Sequence, residues 1–267
     1  MIIDFHTHVF PDKIAERTIA YLSERSDIKP YTDGTVSGLE KAIDTAGITL
    51  AVSLPVLTKP SQFESILNFA ISLNDTYKGK KILSFAGIHP DSEDIEGQLK
   101  AVKDAGIKGI KIHPDYQSTY IDDEKYIKIL EIAKELDLIV VTHSGIDCAY
   151  KDCDAMCPPD RARKVIDKVK HEKFVLAHMG ASEMVDEFLS CVAGANVYID
   201  TSFVLKHLTK EQFTQILSKH GEDKILFATD MPWSNAEEDL KILRSFVDNE
   251  QTLEKILYKN ALKLLGI

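Results

Sequence analysis

The sequence predicts a closed (β/α)8 barrel, and three observations carry the prediction. Eight apolar segments of strand length alternate with amphipathic segments of helix length, the 267-residue chain is long enough for one large closed domain, and imidazoles and carboxylates recur where the strands end. Strands covered on both faces read as near-continuous runs of Ile, Val, Leu and Phe. Such runs occupy 2–8, 48–54, 82–88, 107–113, 138–143, 173–178, 196–201 and 224–229.

Helical patterns lie between them at about 35–46, 61–76, 93–104, 123–136, 159–170, 182–192, 209–219 and 236–248, with a ninth at 251–264. In 123–136, Tyr126, Ile127, Leu130 and Ala133 share one face, while Lys125, Lys128, Glu131 and Lys134 fill the other. Repeated strand–helix alternation requires right-handed parallel crossovers. A doubly wound open sheet is the rival, but it needs a glycine-rich turn after its first strand, and this strand ends in His6-Thr7-His8-Val9-Phe10. The first βα connection, 9–34, is unusually long and predicts a short helix around 12–24 that walls or covers the mouth. With no linker and no internal repeat beyond the alternation, 1–267 reads as a single barrel domain with a C-terminal helix.

Composition narrows the function classes. Apolar residues make up 44% of the chain and charged residues 28%, a globular profile that excludes disorder. Lys and Arg total 32 against 42 Asp and Glu, and the formal charge of −10 disfavours nucleic acid and anionic membranes as partners. A small anionic substrate stays compatible, because charge inside a cleft can outweigh the mean surface field, and a homo-oligomer is open. The start Ile2-Ile3-Asp4-Phe5-His6 lacks the features of a signal peptide and no apolar run reaches spanning length, which predicts a cytoplasmic location. Four cysteines, Cys148, Cys153, Cys157 and Cys191, are too few for a disulfide scaffold and read as reduced thiols.

His6 and His8 are two apart in a strand, so their side chains leave one face and can converge on one ion. His143 ends the fifth predicted strand, His178 the sixth, and Asp230 follows the eighth. One such histidine alone is more simply a strand cap; five metal-competent side chains at the ends of four strands read as a site. His89 and His113, ending the third and fourth strands, could orient substrate or metal ligands, or merely end their strands. Cys148, Cys153 and Cys157 fall within ten residues and are either a soft-metal site or ordinary loop thiols, since their spacing lacks the close pairs of structural zinc motifs. Arg161 and Arg163 are either anion anchors or decoration of the helix start.

The segments Asp4-Phe5-His6-Thr7-His8, Gly109-Ile110-Lys111-Ile112-His113-Pro114, Thr142-His143-Ser144-Gly145, His178-Met179-Gly180 and Thr229-Asp230-Met231-Pro232 resemble the amidohydrolase superfamily across nearly the whole chain, in particular the branch that includes nonoxidative decarboxylases. The resemblance implies a metal-dependent hydrolase. His6, His8, His143 and Asp230 would be divalent-metal ligands, Asp230 would also move the proton of a water, and His178 would bind a second metal or act as acid or base. Zn2+ is the metal implied, with one ion as the first reading and two open. Lys111 would bridge two metals if carboxylated; otherwise it contacts substrate or plays no special role. Hydrolysis of a small amide, ester or lactone is therefore the first expectation. Decarboxylation of a small unsaturated or aromatic acid is the second, although the early loops lack an arginine clamp between Arg25 and Arg161. A metal-binding structural or regulatory protein is the third, and would require a saturated ion.

Overall fold

In a computed structural model, which describes residues 1–150 and 152–267, the predicted strands form a closed parallel barrel ringed by helices. β1 (Ile3–Thr7), β2 (Leu50–Ser53) and β3 (Ile82–Ser84) pair in sequence order. So do β4 (Ala86–Gly87), β5 (Gly109–Ile112), β6 (Ile139–Thr142), β7 (Phe174–Leu176), β8 (Tyr198–Asp200) and β9 (Ile225–Leu226). β3 and β4 are halves of the single strand expected at 82–88. The break comes from Asn74, whose side chain accepts from Ser84 N at 2.7 Å and donates to Ser84 O at 2.9 Å, occupying backbone groups a ladder would use. Phe85 N still donates to Ser53 O at 2.9 Å, so the wall continues through the break. The seam closes where Phe5 N donates to Phe227 O at 2.9 Å, Asp230 N to His6 O at 2.8 Å and His8 N to Met231 O at 2.7 Å.

The helices are α1 (Asp12–Ser26), α2 (Val36–Ala46), α3 (Phe63–Tyr77), α4 (Ile95–Asp104), α5 (Glu124–Glu135), α6 (Pro159–Val169), α7 (Val185–Cys191), α8 (Lys210–His220) and α9 (Ala236–Phe246). Several starts are written locally: the side chains of Thr35, Asp94, Asp123, Thr209 and Asn235 accept from backbone N–H groups of the first turn that have no partner within the helix. The ninth helical pattern folds as α10 (Glu250–Glu254), a π turn at Lys255–Lys259 and α11 (Asn260–Leu265). α7 begins three residues later than expected, because His178–Gly180 forms a 3-10 turn with left-handed His178 (φ 60°) and Met179 (φ 54°). The helix expected near 12–24 is the longer α1, tied over the mouth by Arg25 Nε, which donates to Ala149 O at 3.3 Å while its guanidinium lies 4.2 Å from the Tyr150 ring centre.

Burial supplies the driving force in two layers. One lies between the strands' outer faces and the helices. The other fills the barrel with Phe5, Val52, Phe85, Val141, Val175 and Leu226, and Leu264 and Leu265 of α11 join it. Gly109 makes room for Phe85: a Cβ there would lie 2.6 Å from the Phe85 ring and 2.5 Å from Ile139 O. Phe85 in turn meets Phe5 edge to face at 6.0 Å.

β1 carries the irregularity that the site needs. Its register with β2 shifts between Asp4 and Thr7, so that Phe5 joins the barrel interior and His6, the next residue, also turns toward the mouth. Regular pleating would send these two side chains to opposite faces. Asp4 spans the irregularity: its Oδ1 accepts from His6 N at 3.2 Å and Thr229 N at 3.0 Å, and its Oδ2 accepts from Thr229 Oγ1 at 2.6 Å. Burial pushes this carboxyl up to about 7 against those hydrogen bonds.

Two histidines brace loops that lead into strands. His171 Nε2 pairs with Leu138 O at 2.9 Å, and His220 Nε2 with Val197 O at 3.0 Å. Burial pushes each down to about 4. Each is neutral when folded and protonates more readily when unfolded, so its stabilisation is complete above about pH 6.5 and declines as pH falls toward 4. Urea unfolding should therefore show a loss of about 1–2 kcal/mol per histidine between pH 7 and pH 5, and a double His171→Asn, His220→Asn variant, though less stable at pH 7, should show a flatter pH dependence. An unchanged slope in that variant would assign the acid sensitivity to other groups.

Candidate metal centre

Strand ends bring His6, His8 and Asp230 together. His6 Nε2 and His8 Nε2 stand 3.2 Å apart, and Asp230 Oδ1 lies 3.0 Å from His8 Nε2 and 3.4 Å from His6 Nε2. These are the edge lengths expected for donors around an ion with bonds of about 2.0–2.2 Å.

Hydrogen bonds behind the rings decide which nitrogens face inward. His8 Nδ1 donates to Leu54 O at 2.8 Å, and His6 Nδ1 donates to Asp200 Oδ2 at 3.0 Å. In each neutral ring the proton is therefore on Nδ1, and Nε2 presents a lone pair to the centre. Burial, followed by the charge of Lys111, holds His6 well below its usual titration range and so keeps it neutral. Two lone pairs and a carboxylate oxygen converge with no proton of their own between them, an arrangement that a divalent cation satisfies.

Lys111, on β5, is almost wholly buried, and its Nζ donates to His6 Nε2 at 3.1 Å. Burial pushes it down to about 8 against the pull of Asp200 and Asp230. His178 Nδ1 donates to Ser202 O at 3.0 Å, so its Nε2 accepts from His143 Nδ1, also at 3.0 Å. His143 Nε2 consequently points away from the first centre, toward Asp115 and Asp147, each at 3.9 Å. Of the four ligands expected from sequence, His6, His8 and Asp230 lie in one donor group, and His143 lies beside it in a second with His113 and Asp147.

His89 joins neither donor cluster among the described residues; its Nδ1 accepts from Asp91 N at 3.1 Å and organises a turn. Arg161 pairs with Asp122 at 2.6 Å and covers Tyr120, and Arg163 pairs with Asp167 at 2.8 Å, so both decorate α6 and neither anchors an anion at the mouth. The soft-metal alternative for the loop cysteines does not form among the described residues: Cys157 is core, Cys153 is exposed, and no donor cluster contains them. Asp200 was not singled out from sequence. It carries the site, since its Oδ1 accepts from His178 N at 3.0 Å, from Ser202 N at 3.1 Å and from Ser202 Oγ, while its Oδ2 orients His6. Its one sequence signal is a carboxylate ending the strand predicted at 196–201. A cavity of about 390 Å³ adjoins the site, lined by His178, Ser182, Phe203 and His207 among others.

A family model described as amidohydrolase matches residues 3–267. Among solved structures, the chain is similar to a dihydroxybenzoic acid decarboxylase from Polaromonas sp. JS666 with bound manganese and 2-nitroresorcinol, at 16% identity and TM-score 0.73, covering 99% of this chain and 96% of that one. It is similar to a 5-carboxyvanillate decarboxylase from Sphingomonas paucimobilis at 15% identity and TM-score 0.72, covering 100% and 99%. A probable 2-pyrone-4,6-dicarboxylic acid hydrolase from Acinetobacter baumannii matches at 17% identity and TM-score 0.70, covering 100% and 99%. At these identities the likeness shows the barrel fold. No curated protein sequence matches the chain.

Removing either inward lone pair should strip the centre. His6→Ala and His8→Ala are each expected to lose tightly bound metal by elemental analysis while keeping the wild-type circular dichroism spectrum. Asp200→Asn, which can no longer hold the His6 tautomer with a charge, should weaken metal binding about 10–100-fold. Unchanged stoichiometry in both alanine variants would remove His6 and His8 from the ligand set.

Proposed function

The chain belongs to the amidohydrolase family, and from that premise we propose that it is a divalent-metal-dependent enzyme that removes CO2, without oxidation, from a small unsaturated or aromatic carboxylic acid. The observation that carries this reading is Lys111, a buried amine hydrogen-bonded at the donor set, which makes the mouth a place for an anion despite the acidic surface. Decarboxylases are also the commoner activity among the solved neighbours named above. Zn2+ is the metal we propose, since two imidazoles and a carboxylate are ordinary ligands for it. Bound at His6, His8 and Asp230, the ion would supply a Lewis acid that gathers the substrate carboxylate.

The chain's own residues do the rest. Lys111 pairs with the anion and supplies the charge that an arginine clamp would otherwise bring. When the bond to the carboxyl carbon breaks, its electron pair stays on the substrate carbon, CO2 leaves, and a proton must reach that carbon. Asp230 would carry it, its Oδ1 turned to the histidines and its other oxygen holding a proton drawn from solvent. His178 lines the adjoining cavity, whose volume accommodates a small acid.

Hydrolysis, the first expectation from sequence, uses the same residues, with Asp230 taking a proton from an attacking water. The Acinetobacter neighbour keeps this second reading in view. In either case the reading treats 1–267 as one domain acting in the cytoplasm, as monomer or homo-oligomer, with no nucleic-acid or membrane partner. Among the described residues, no helix is long and apolar enough to cross a membrane.

Metal-replete protein in D2O, offered hydroxybenzoic and dienoic acids, should release CO2 and place one deuterium on the carbon that lost the carboxylate, read by proton NMR. Turnover confined to a parallel panel of amides, esters and lactones would overturn decarboxylation. On a substrate so identified, Asp230→Asn should keep part of the metal and lose about 10²–10⁴ in turnover. Lys111→Met should keep the metal and raise KM for the acid at least about tenfold, as loss of a buried charge partner does. A KM left unmoved would take anion binding away from Lys111.

A further inference from the structure

We propose that Phe203 determines which acids the enzyme accepts: its ring is the surface against which a planar, conjugated substrate packs in the cavity beside His178. With the mouth read, as above, as a site for an unsaturated or aromatic acid, this residue makes the choice between flat and saturated rings.

Ser202, Phe203 and Val204 form a three-residue turn, closed where Val204 N donates to Ser202 O at 2.8 Å, and Phe203 at its centre has φ 66°. This is the rare left-handed γ-turn, a strained conformation that glycine enters freely and a bulky side chain avoids. Such an outlier persists only where its surroundings impose it. Here they impose it from two sides of the mouth: Ser202 O also accepts from His178 Nδ1 at 3.0 Å, and Phe203 N donates to Thr229 O at 3.1 Å, one residue before Asp230. The backbone that carries the ring is thereby fixed relative to both His178 and Asp230.

Core packing does not account for the ring, because it is only half-buried and lines the cavity of about 390 Å³. Lys206 Nζ lies 4.4 Å from its centre and the His207 ring 5.4 Å away at 44°, so neighbours on its own loop hold it. The deeper wall is mostly apolar, with Met179, Ala181 and Val204 buried beside His178. The carboxylates of the wall, Glu183, Asp186 and Glu187, are exposed. Like charge repels a substrate carboxylate from that outer end, which orients the acid with its charged group inward and its flat apolar body against Phe203.

Isothermal titration of metal-replete full-length protein with benzoate and with cyclohexanecarboxylate tests this, since the two anions share a carboxylate and a carbon count. Burial alone favours the saturated ring, which has more apolar surface, so a preference for benzoate reports an aromatic contact. Wild type should bind benzoate about two- to tenfold more tightly. Phe203→Leu and Phe203→Met, which keep an apolar side chain under the same backbone constraint, should lose that preference, and Phe203→Tyr should keep it, with wild-type metal content in each. Two non-aromatic variants guard against one failing to fold, with circular dichroism as the check. No preference in wild type, no binding of either acid, or a preference that survives both non-aromatic variants would overturn the role of Phe203. Binding and turnover fail separately: CO2 release in D2O with an unmoved preference in the variants sinks only the role of Phe203. A benzoate preference carried by Phe203 in a protein that turns over only amides, esters or lactones sinks only decarboxylation.

Discussion

The site depends on where imidazole protons are held. Leu54 O, Asp200 and Ser202 O each take an Nδ1 proton, and the choice propagates: His6 and His8 turn lone pairs to one point, while His178 passes the constraint to His143, whose lone pair faces another. Two of these three groups are backbone carbonyls at strand ends, so barrel geometry itself selects the tautomers. A histidine on a mobile loop would sample both tautomers and lose part of its affinity for any ion.

Stability and chemistry meet at the seam between β1 and β9. Asp4 links the irregular part of β1 to Thr229, and Asp230, one residue on, returns its N–H to His6 O. The contacts that close the barrel therefore also set the spacing of two histidines and a carboxylate. Phe5 below and His6 above share the inside of the wall because β1 breaks its pleat between Asp4 and Thr7. Apolar filling and polar mouth are consecutive residues on one strand, which leaves little freedom for the donors to drift.

Much of this was legible in the sequence because it follows from periodicity. Runs such as Ile139-Val140-Val141-Thr142 and faces such as Tyr126, Ile127, Leu130 and Ala133 report burial, and burial reports strand and helix. Placing His6, His8, His143, His178 and Asp230 at one mouth needed only the rule that strands of a barrel end together. What periodicity does not encode is direction after the strand ends. His143 turns toward Asp115 and Asp147 because loop backbone amides at Ala149 and Met156 hold those carboxylates, a long-range arrangement with no local signature. Asp200 escaped notice because a lone carboxylate at a strand end looks like a cap until His6 is seen against it. The split of the third strand at Ser84 is likewise set by Asn74, ten residues earlier on α3.

The backbone at the mouth shows what this arrangement costs. His178, Phe203 and Asp230 all hold left-handed φ, at 60°, 66° and 69°, just beyond β7, β8 and β9. For residues other than Gly or Asn that conformation costs about 1–2 kcal/mol each, with Asp and His among the better tolerated. A barrel selected for stability alone would place glycine or asparagine there. Gly145 shows the same crowding from the other side, since a Cβ on it would lie 2.2 Å from Ser182 N. The strain sits above the apolar interior, on residues that turn His178 and Asp230 into the mouth, and the packing of Phe5, Phe85 and α11 beneath offsets it. Chemistry is therefore concentrated where the fold is least relaxed, and the part of the barrel that stabilises it contributes no donor.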